Sequence, residues 1–333
     1  MREFAKPNIV VSRCLGFEHC RYNGEIIAAP FVQKMTPHVS FTLVCPEIDV
    51  GLGVPREFLR LVVVDGETRL LQPNTGLDHT ERMKTFVASF LDGLADVDGF
   101  ILKNRSPSCG LSDVKVYTST KKGAAALKGQ GMFGGAVMER FPPLAIEDEG
   151  RLLNFRLRDH FLTRIYTLAA FRAVKASGAM KTLVQFQAEN KLLLMAYHQT
   201  EMRALGRIVA NPGKRPPGEV IADYEQHLYA ALARPPRCTS HVNVLMHALG
   251  YFSDGLSSRE KGFFLDGLQK YREGLAPVSV ARGLIQSWIA RFGQDYLARQ
   301  TYFEPYPEAL LELSDSGKQM ACVDEGAERG KRQ

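Results

Sequence analysis

Short apolar runs alternate with amphipathic stretches along the first half of the chain. The β-branched run "NIVVSRCLG", stopped at Gly16, reads as a strand, and "SFTLVCPEIDVGLG" as another. In "RLVVVDGETRLLQP" the pair Asp65-Gly66 marks a hairpin turn. The stretch "DHTERMKTFVASFLDGL" carries Met83, Phe86, Val87, Phe90, Leu91 and Leu94 at helical spacing. A short apolar strand, "DGFILK", leads into the loop "KNRSPSCGLSD" and then a Gly-rich helix around "GMFGGAVMERF". Strands alternating with helices predict a Rossmann-like α/β layer fold with a mostly parallel sheet over residues 1–158.

The pattern changes after about Arg158. The segments "HFLTRIYTLAAFRAVKASG", "LVQFQAENKLLLMAYHQTEMRALGRIVA", "VIADYEQHLYAALAR", "SHVNVLMHALGYFSD", "SREKGFFLDGLQKYREG" and "VSVARGLIQSWIARFGQDYLARQTYF" all carry helical periodicity. Breaks such as "NPGKRPPG" and "RPPR" separate them. Residues 159–313 therefore read as an all-α domain. Residues 314–333 lack periodic apolar positions and are expected to be disordered.

Composition adds a boundary on function. At 333 residues, two domains are the better expectation. No apolar run approaches the roughly 18 residues of a membrane span, and the start lacks a signal peptide's apolar core and cleavage site. A cytoplasmic protein with no membrane partner is the expectation. Six cysteines in so long a chain do not suggest a disulfide framework, and CxxC spacing is absent. The net charge of +6 is uneven: 17 basic against 18 acidic residues in 1–150, and 25 against 18 in 151–333. A polyanion such as nucleic acid is one physical partner for the basic half, and a merely solvated surface is the other.

Three cysteines share one context. Cys14 follows "NIVVSR", Cys45 ends "SFTLV", and Cys109 lies beyond "GFILK". In open parallel sheets, ligands gather outside the carboxyl ends of the strands, so the three would converge there. Converging thiolates suit zinc or an iron–sulfur group, and three ligands on a 4Fe–4S cluster would leave one iron open as a Lewis acid. Burial as small hydrophobes is the alternative for any one of them. Glu47 lies two residues after Cys45, so an extended chain would point both side chains the same way. Pro107 pushes Ser106 into an extended conformation, and Gly110 permits a turn or close approach. Strand-end carboxylate and ordinary turn serines remain the plain alternatives.

Together, "SRCLG", "RYNG", "CPEIDVGLGVPR" and "SPSCG" resemble the signature of the thiouracil desulfidase family over residues 7–150. The second half, with "ENKLLLMAYHQTEMRALGRIVA", "HVNVLMHALGYF", "KYREG" and "QTYFEPYP", resembles the YbgA-type helical domain fused to the long form of that family. The resemblance implies a 4Fe–4S cluster on Cys14, Cys45 and Cys109, with a catalytic glutamate at Glu47 and a catalytic serine at Ser106. It implies hydrolysis of the carbon–sulfur bond of thiolated uracil, releasing hydrosulfide without net redox change. For the long form it implies 4-thiouridine in tRNA as substrate, held by the helical domain. Small thiolated pyrimidines, such as free thiouracil or thiouridine monophosphate, are the alternative substrates. A non-catalytic, cluster-sensing nucleic-acid-binding regulator is the alternative class. Cys20 is extra to the three implied ligands.

Ser12, Arg21, Tyr22, Asn23, Arg56 and Ser108 are candidates to contact the substrate, the arginines being equally plausible as ion-pair partners. In the helical half, Asn243, His247 and Tyr251 form a stripe at i, i+4 and i+8. His247 and Tyr251, with His198 and the bases Lys191, Arg203, Arg207, Lys261 and Arg272, are candidates to contact RNA, and Phe252 and Tyr271 could also stack on bases. Cys238, His241 and His247 do not suit zinc, because the two histidines fall on different helix faces.

Overall fold

The computed structural model describes residues 2–121 and 123–311. The expected tail over 314–333 lies outside them. The chain forms two compact units, one through Ala169 and one over Ala170–Leu311.

The first unit runs β1 (Asn8–Ser12), α1 (Pro30–Met35), β2 (Ser40–Val44), α2 (Pro46–Asp49), β3 (Arg60–Val64), β4 (Glu67–Leu71), α3 (Thr80–Asp92), β5 (Gly99–Leu102), β6 (Val114–Tyr117), β7 (Ala126–Gly129), α4 (Met132–Arg140) and β8 (Ala145–Asp148). Four strands form a fully parallel sheet in the order β2-β1-β5-β8. Its centre is apolar on both faces: Val10, Val11, Phe100, Ile101 and Leu102 are all buried, as sequences of continuous Val/Ile/Leu require in a covered parallel sheet. Because β2 lies on one side of β1 and β5 on the other, β1 is the point where the winding reverses. A second sheet, β4-β3-β6-β7, is mixed. Its β3–β4 hairpin pairs Val64 with Glu67, and both Asp65 and Gly66 take positive φ, as a tight primed turn demands.

The remaining elements are α5 (Phe155–Ser177), α6 (Met180–Tyr197), α7 (Gln199–Ala210), α8 (Pro217–Ala231), α9 (Cys238–Gly250), α10 (Ser258–Arg272), α11 (Val278–Phe292) and α12 (Asp295–Ala298). The boundary between the units falls within α5, at Ala169, whereas the sequence pattern changes at Arg158. The second unit is all-α. Its core includes Phe171, Phe186 and Tyr224 in mutual ring contact, and Phe252, Phe264 and Trp288 in another group. One sequence expectation needs correction here. The single periodic stretch from Leu183 to Ala210 is two helices, broken at His198, whose backbone is extended and whose ring Nδ1 caps α7 by accepting from the Glu201 N–H. Apolar periodicity continues on both sides, so the pattern alone hid the break. No described helix is long and apolar enough to cross a membrane.

Candidate active site

Three strand ends of the parallel sheet deliver the site. Ser12 closes β1, Cys45 follows β2, and the loop after β5 carries Lys103 to Cys109. Ser12 is fully buried and joins two of these ends, its Oγ accepting the Lys103 N–H at 2.9 Å. Cys14, Cys45 and Cys109 line one cavity of about 420 Å³, together with Cys20, Glu47, Arg56 and Ser106. The convergence at the carboxyl edge of the sheet, around the winding switch, is where this topology leaves a crevice.

The Cys109 loop is shaped from within and clamped from outside. Ser106 Oγ accepts the N–H groups of Ser108 (3.2 Å) and Cys109 (3.1 Å). The first turn of α4 then grips the loop, with the N–H groups of Phe133 and Gly134 both donating to the Ser108 carbonyl, at 2.9 and 3.0 Å. That approach needs glycine: a Cβ on Gly134 would stand 2.5 Å from the carbonyl oxygens of Cys109 and Gly110. Gly110 is a glycine for the same reason, since its Cβ would meet the Ser106 carbonyl oxygen at 2.8 Å.

Glu47 reaches the cavity by a different route from the extended chain the sequence suggested. Pro46–Asp49 is a short helix, so Cys45 is its N-cap and Glu47 projects from its first turn. Proline at the first helical position, with fixed φ and no N–H to satisfy, favours that start. The carboxylate is held on both oxygens. Oε1 accepts from Ser108 Oγ at 3.0 Å, and Oε2 accepts from Arg56 Nε at 3.0 Å and Nη2 at 2.6 Å. Arg56 also donates from Nη1 to the carbonyls of Cys20 (3.0 Å) and Gly53 (3.2 Å). The side chains of this pair are 6% and 14% exposed, so each charge depends on the other.

Cys20 joins the three expected thiols. It is buried and lines the same cavity, and its carbonyl oxygen accepts from the Cys45 thiol at 3.9 Å. Contact with Cys14, and then burial, push the Cys20 thiol up to about 11. Contact with Cys20 and burial raise Cys45 well above the ordinary thiol range, and burial does the same for Cys109. Soft metal ligation requires these thiols to lose their protons. Among the described residues no three His, Cys, Asp or Glu side chains already stand at metal-holding distances. The fit to an iron–sulfur group therefore lies in the donor chemistry: thiols from three strand ends on one cavity.

Residues 9–149 match the family described as 2-thiouracil desulfurase, and residues 191–307 match a protein family of unknown function, DUF1722. The uncharacterized protein YbgA of Escherichia coli K12 is 30% identical over 164 residues, spanning 49% of this chain and 96% of YbgA. The uncharacterized protein YbbK of Bacillus subtilis 168 is 34% identical over 109 residues, 31% of this chain and 72% of YbbK. The chain belongs to the 2-thiouracil desulfurase family. It carries a YbgA-like DUF1722 domain behind the family domain. A solved [4Fe-4S]-dependent thiouracil desulfidase, TudS, is 26% identical, covering 44% of this chain and 93% of that one, with a TM-score of 0.35.

Within the family domain, Arg21 and Tyr22 line the cavity, with the Arg21 guanidinium 5.8 Å from the Tyr22 ring centre. Asn23 is exposed and accepts from the Glu25 N–H. Arg56 is the ion-pair partner of Glu47, and Ser108 is the hydroxyl that touches it. Sequence reasoning missed the Cys20 contacts and the α4 clamp, although "GMFGG" was a visible signal for close backbone approach. In the helical unit the RNA candidates are spread over α6 (Lys191), α7 (Arg203, Arg207), α9 (His247) and α10 (Lys261, Arg272). His198 is the α7 cap, and Tyr251, at the end of α9, is exposed and stacks on Tyr296. Phe252 and Tyr271 are buried, which corrects the expectation that they stack on RNA bases.

Proposed function

We propose that this chain is an iron–sulfur desulfidase that converts 4-thiouridine in tRNA to uridine with release of hydrosulfide. The observation that carries the reading is one cavity lined by Cys14, Cys45 and Cys109 together with the Glu47 carboxylate, which a hydroxyl and a guanidinium fix. Cys14, Cys45 and Cys109 would hold a 4Fe–4S cluster with one iron free of protein ligands. When bound, that group supplies a Lewis acid for the thiocarbonyl sulfur.

The chain's own groups do the rest. Glu47 takes a proton from the water that attacks the ring carbon, aimed by Ser108 on one oxygen and Arg56 on the other. The carbon–oxygen bond forms, the carbon–sulfur bond breaks, and the proton leaves with hydrosulfide, with no electron transferred. Ser106 uses its oxygen to accept two loop N–H groups, which leaves its O–H proton to donate toward charge developing on the ring. The excess of basic residues over 151–333 supports a polymeric anion as the natural substrate.

Hydrosulfide measured anaerobically from thiolated tRNA and from 4-thiouridine monophosphate tests both halves of the proposal. Release from tRNA is expected. Release from the monophosphate alone moves the substrate to small pyrimidines, and release from neither, with iron bound, rejects the enzyme reading in favour of a regulator.

A further inference from the structure

The stretch from Arg56 into β3 places Arg56, Phe58 and Arg60 at every second position. Arg56 and Phe58 line the cavity. Arg60, half-buried, opens β3 just beyond them. Its guanidinium carbon lies 5.1 Å from the Phe58 ring centre and 4.6 Å from that of Tyr117 on β6. Packing on aromatic faces holds a planar guanidinium in place and leaves its N–H edge available. Among the described residues Arg60 has no carboxylate partner and no acceptor takes its guanidinium N–H groups. Arg56, by contrast, is committed to Glu47, and Arg21 meets the single ring of Tyr22.

The charge around Arg60 suits an anion. Strand pairing sets Val62 opposite both Arg69 and Tyr117, and Lys115 opposite Lys128, so Arg60, Arg69, Lys115 and Lys128 share one face of the second sheet. Arg69 and Lys128 are neutralised by Asp78 at 3.2 Å and Asp113 at 2.9 Å. Lys115 is exposed and, like Arg60, has no such partner among the described residues. A fixed guanidinium fork with positive surroundings therefore adjoins the cavity wall at Phe58. We propose that Arg60 seats the phosphate attached to the thiolated nucleoside, the base entering the cavity beside Phe58. A guanidinium donates two parallel N–H bonds to phosphate oxygens, which a bare pyrimidine does not offer. Arg60 is thus a specificity-determining residue that selects phosphorylated thiouridine, as in RNA, over free thiouracil.

The inference rests on the reading of the cavity as a thiolated-pyrimidine site, and a binding experiment that needs no turnover separates the two. Uridine and its 5′- and 3′-monophosphates are titrated calorimetrically into wild type, Arg60→Gln and Arg60→Lys. Glutamine keeps a planar group on the rings without charge, whereas lysine keeps the charge without the fork. Wild type is expected to hold one of the monophosphates more tightly than uridine. Arg60→Gln is expected to weaken that monophosphate about tenfold to hundredfold with uridine unchanged, and Arg60→Lys to fall in between. Equal affinity of wild type for uridine and both monophosphates overturns the proposal. So does an Arg60→Gln protein that keeps the preference, or one that weakens uridine by the same factor. If the preference is lost as expected while iron-loaded wild type releases no hydrosulfide, the desulfidase reading fails and the phosphate seat stands.

Discussion

At the scale of single residues, two neighbouring serines carry separate duties. Ser108 donates to Glu47, whereas Ser106 accepts from the backbone around Cys109. Ser106→Ala strips two N–H groups of their acceptor, so it is expected to destabilise the loop by about 1–3 kcal/mol, read as lower iron retention and a lower melting temperature. Ser108→Ala leaves those bonds in place and is expected to lower kcat. Glu47→Gln should keep the iron and lose about 10²–10⁴-fold in kcat; unchanged turnover in an iron-loaded Glu47→Gln protein removes its role as base. The thiols at strand ends were legible because each follows a short apolar run. The fixing of Glu47 was not, since Arg56 and Ser108 lie 9 and 61 residues away and only the folded turn joins them.

At the scale of elements, the loop after β5 and the start of α4 act as one piece. Gly134→Ala drives a methyl into two backbone carbonyls with no room to yield. Its expected cost is about 1–3 kcal/mol, with iron loss paralleling unfolding in a denaturant titration; unaltered stability would contradict the clamp. In α5, His160 is buried beside Arg164 and Arg156, and burial chiefly, then those charges, depress its titration to about 3. The unfolded value is near 6.5, so the unfolded chain binds more protons between the two values and stability rises with pH there. The contribution is complete above about pH 6.5 and is lost as pH falls toward 3. His160→Gln is expected to flatten the denaturation midpoint of its unit between pH 6.5 and 4.5 relative to wild type; equal slopes would contradict this. Period and turn chemistry made these elements readable, including the Asp65-Gly66 hairpin. The short α2 and the break at His198 were not readable, because a single turn of helix and a single extended residue leave no periodic trace.

At the scale of the whole molecule, an all-α domain with excess base follows a domain whose chemistry fits a thiolated pyrimidine. Arg203 and Arg207 are exposed one turn apart on α7. Reversing both to glutamate is expected to weaken tRNA binding and to flatten its salt dependence by about one unit of slope per lost phosphate contact. Turnover of thiouridine monophosphate by the same variant should be unaffected, and equal loss on both substrates would argue against a tethering role. The central claim is hydrolytic removal of sulfur at the Cys14, Cys45 and Cys109 cavity. Its most direct test is turnover of 4-thiouridine-containing tRNA by iron-loaded protein in ¹⁸O-water, with mass spectrometry of the nucleosides. The account predicts uridine carrying one ¹⁸O atom at the former thiocarbonyl carbon and one hydrosulfide per uridine formed. Unlabelled uridine, or intact 4-thiouridine with the iron in place, would contradict it.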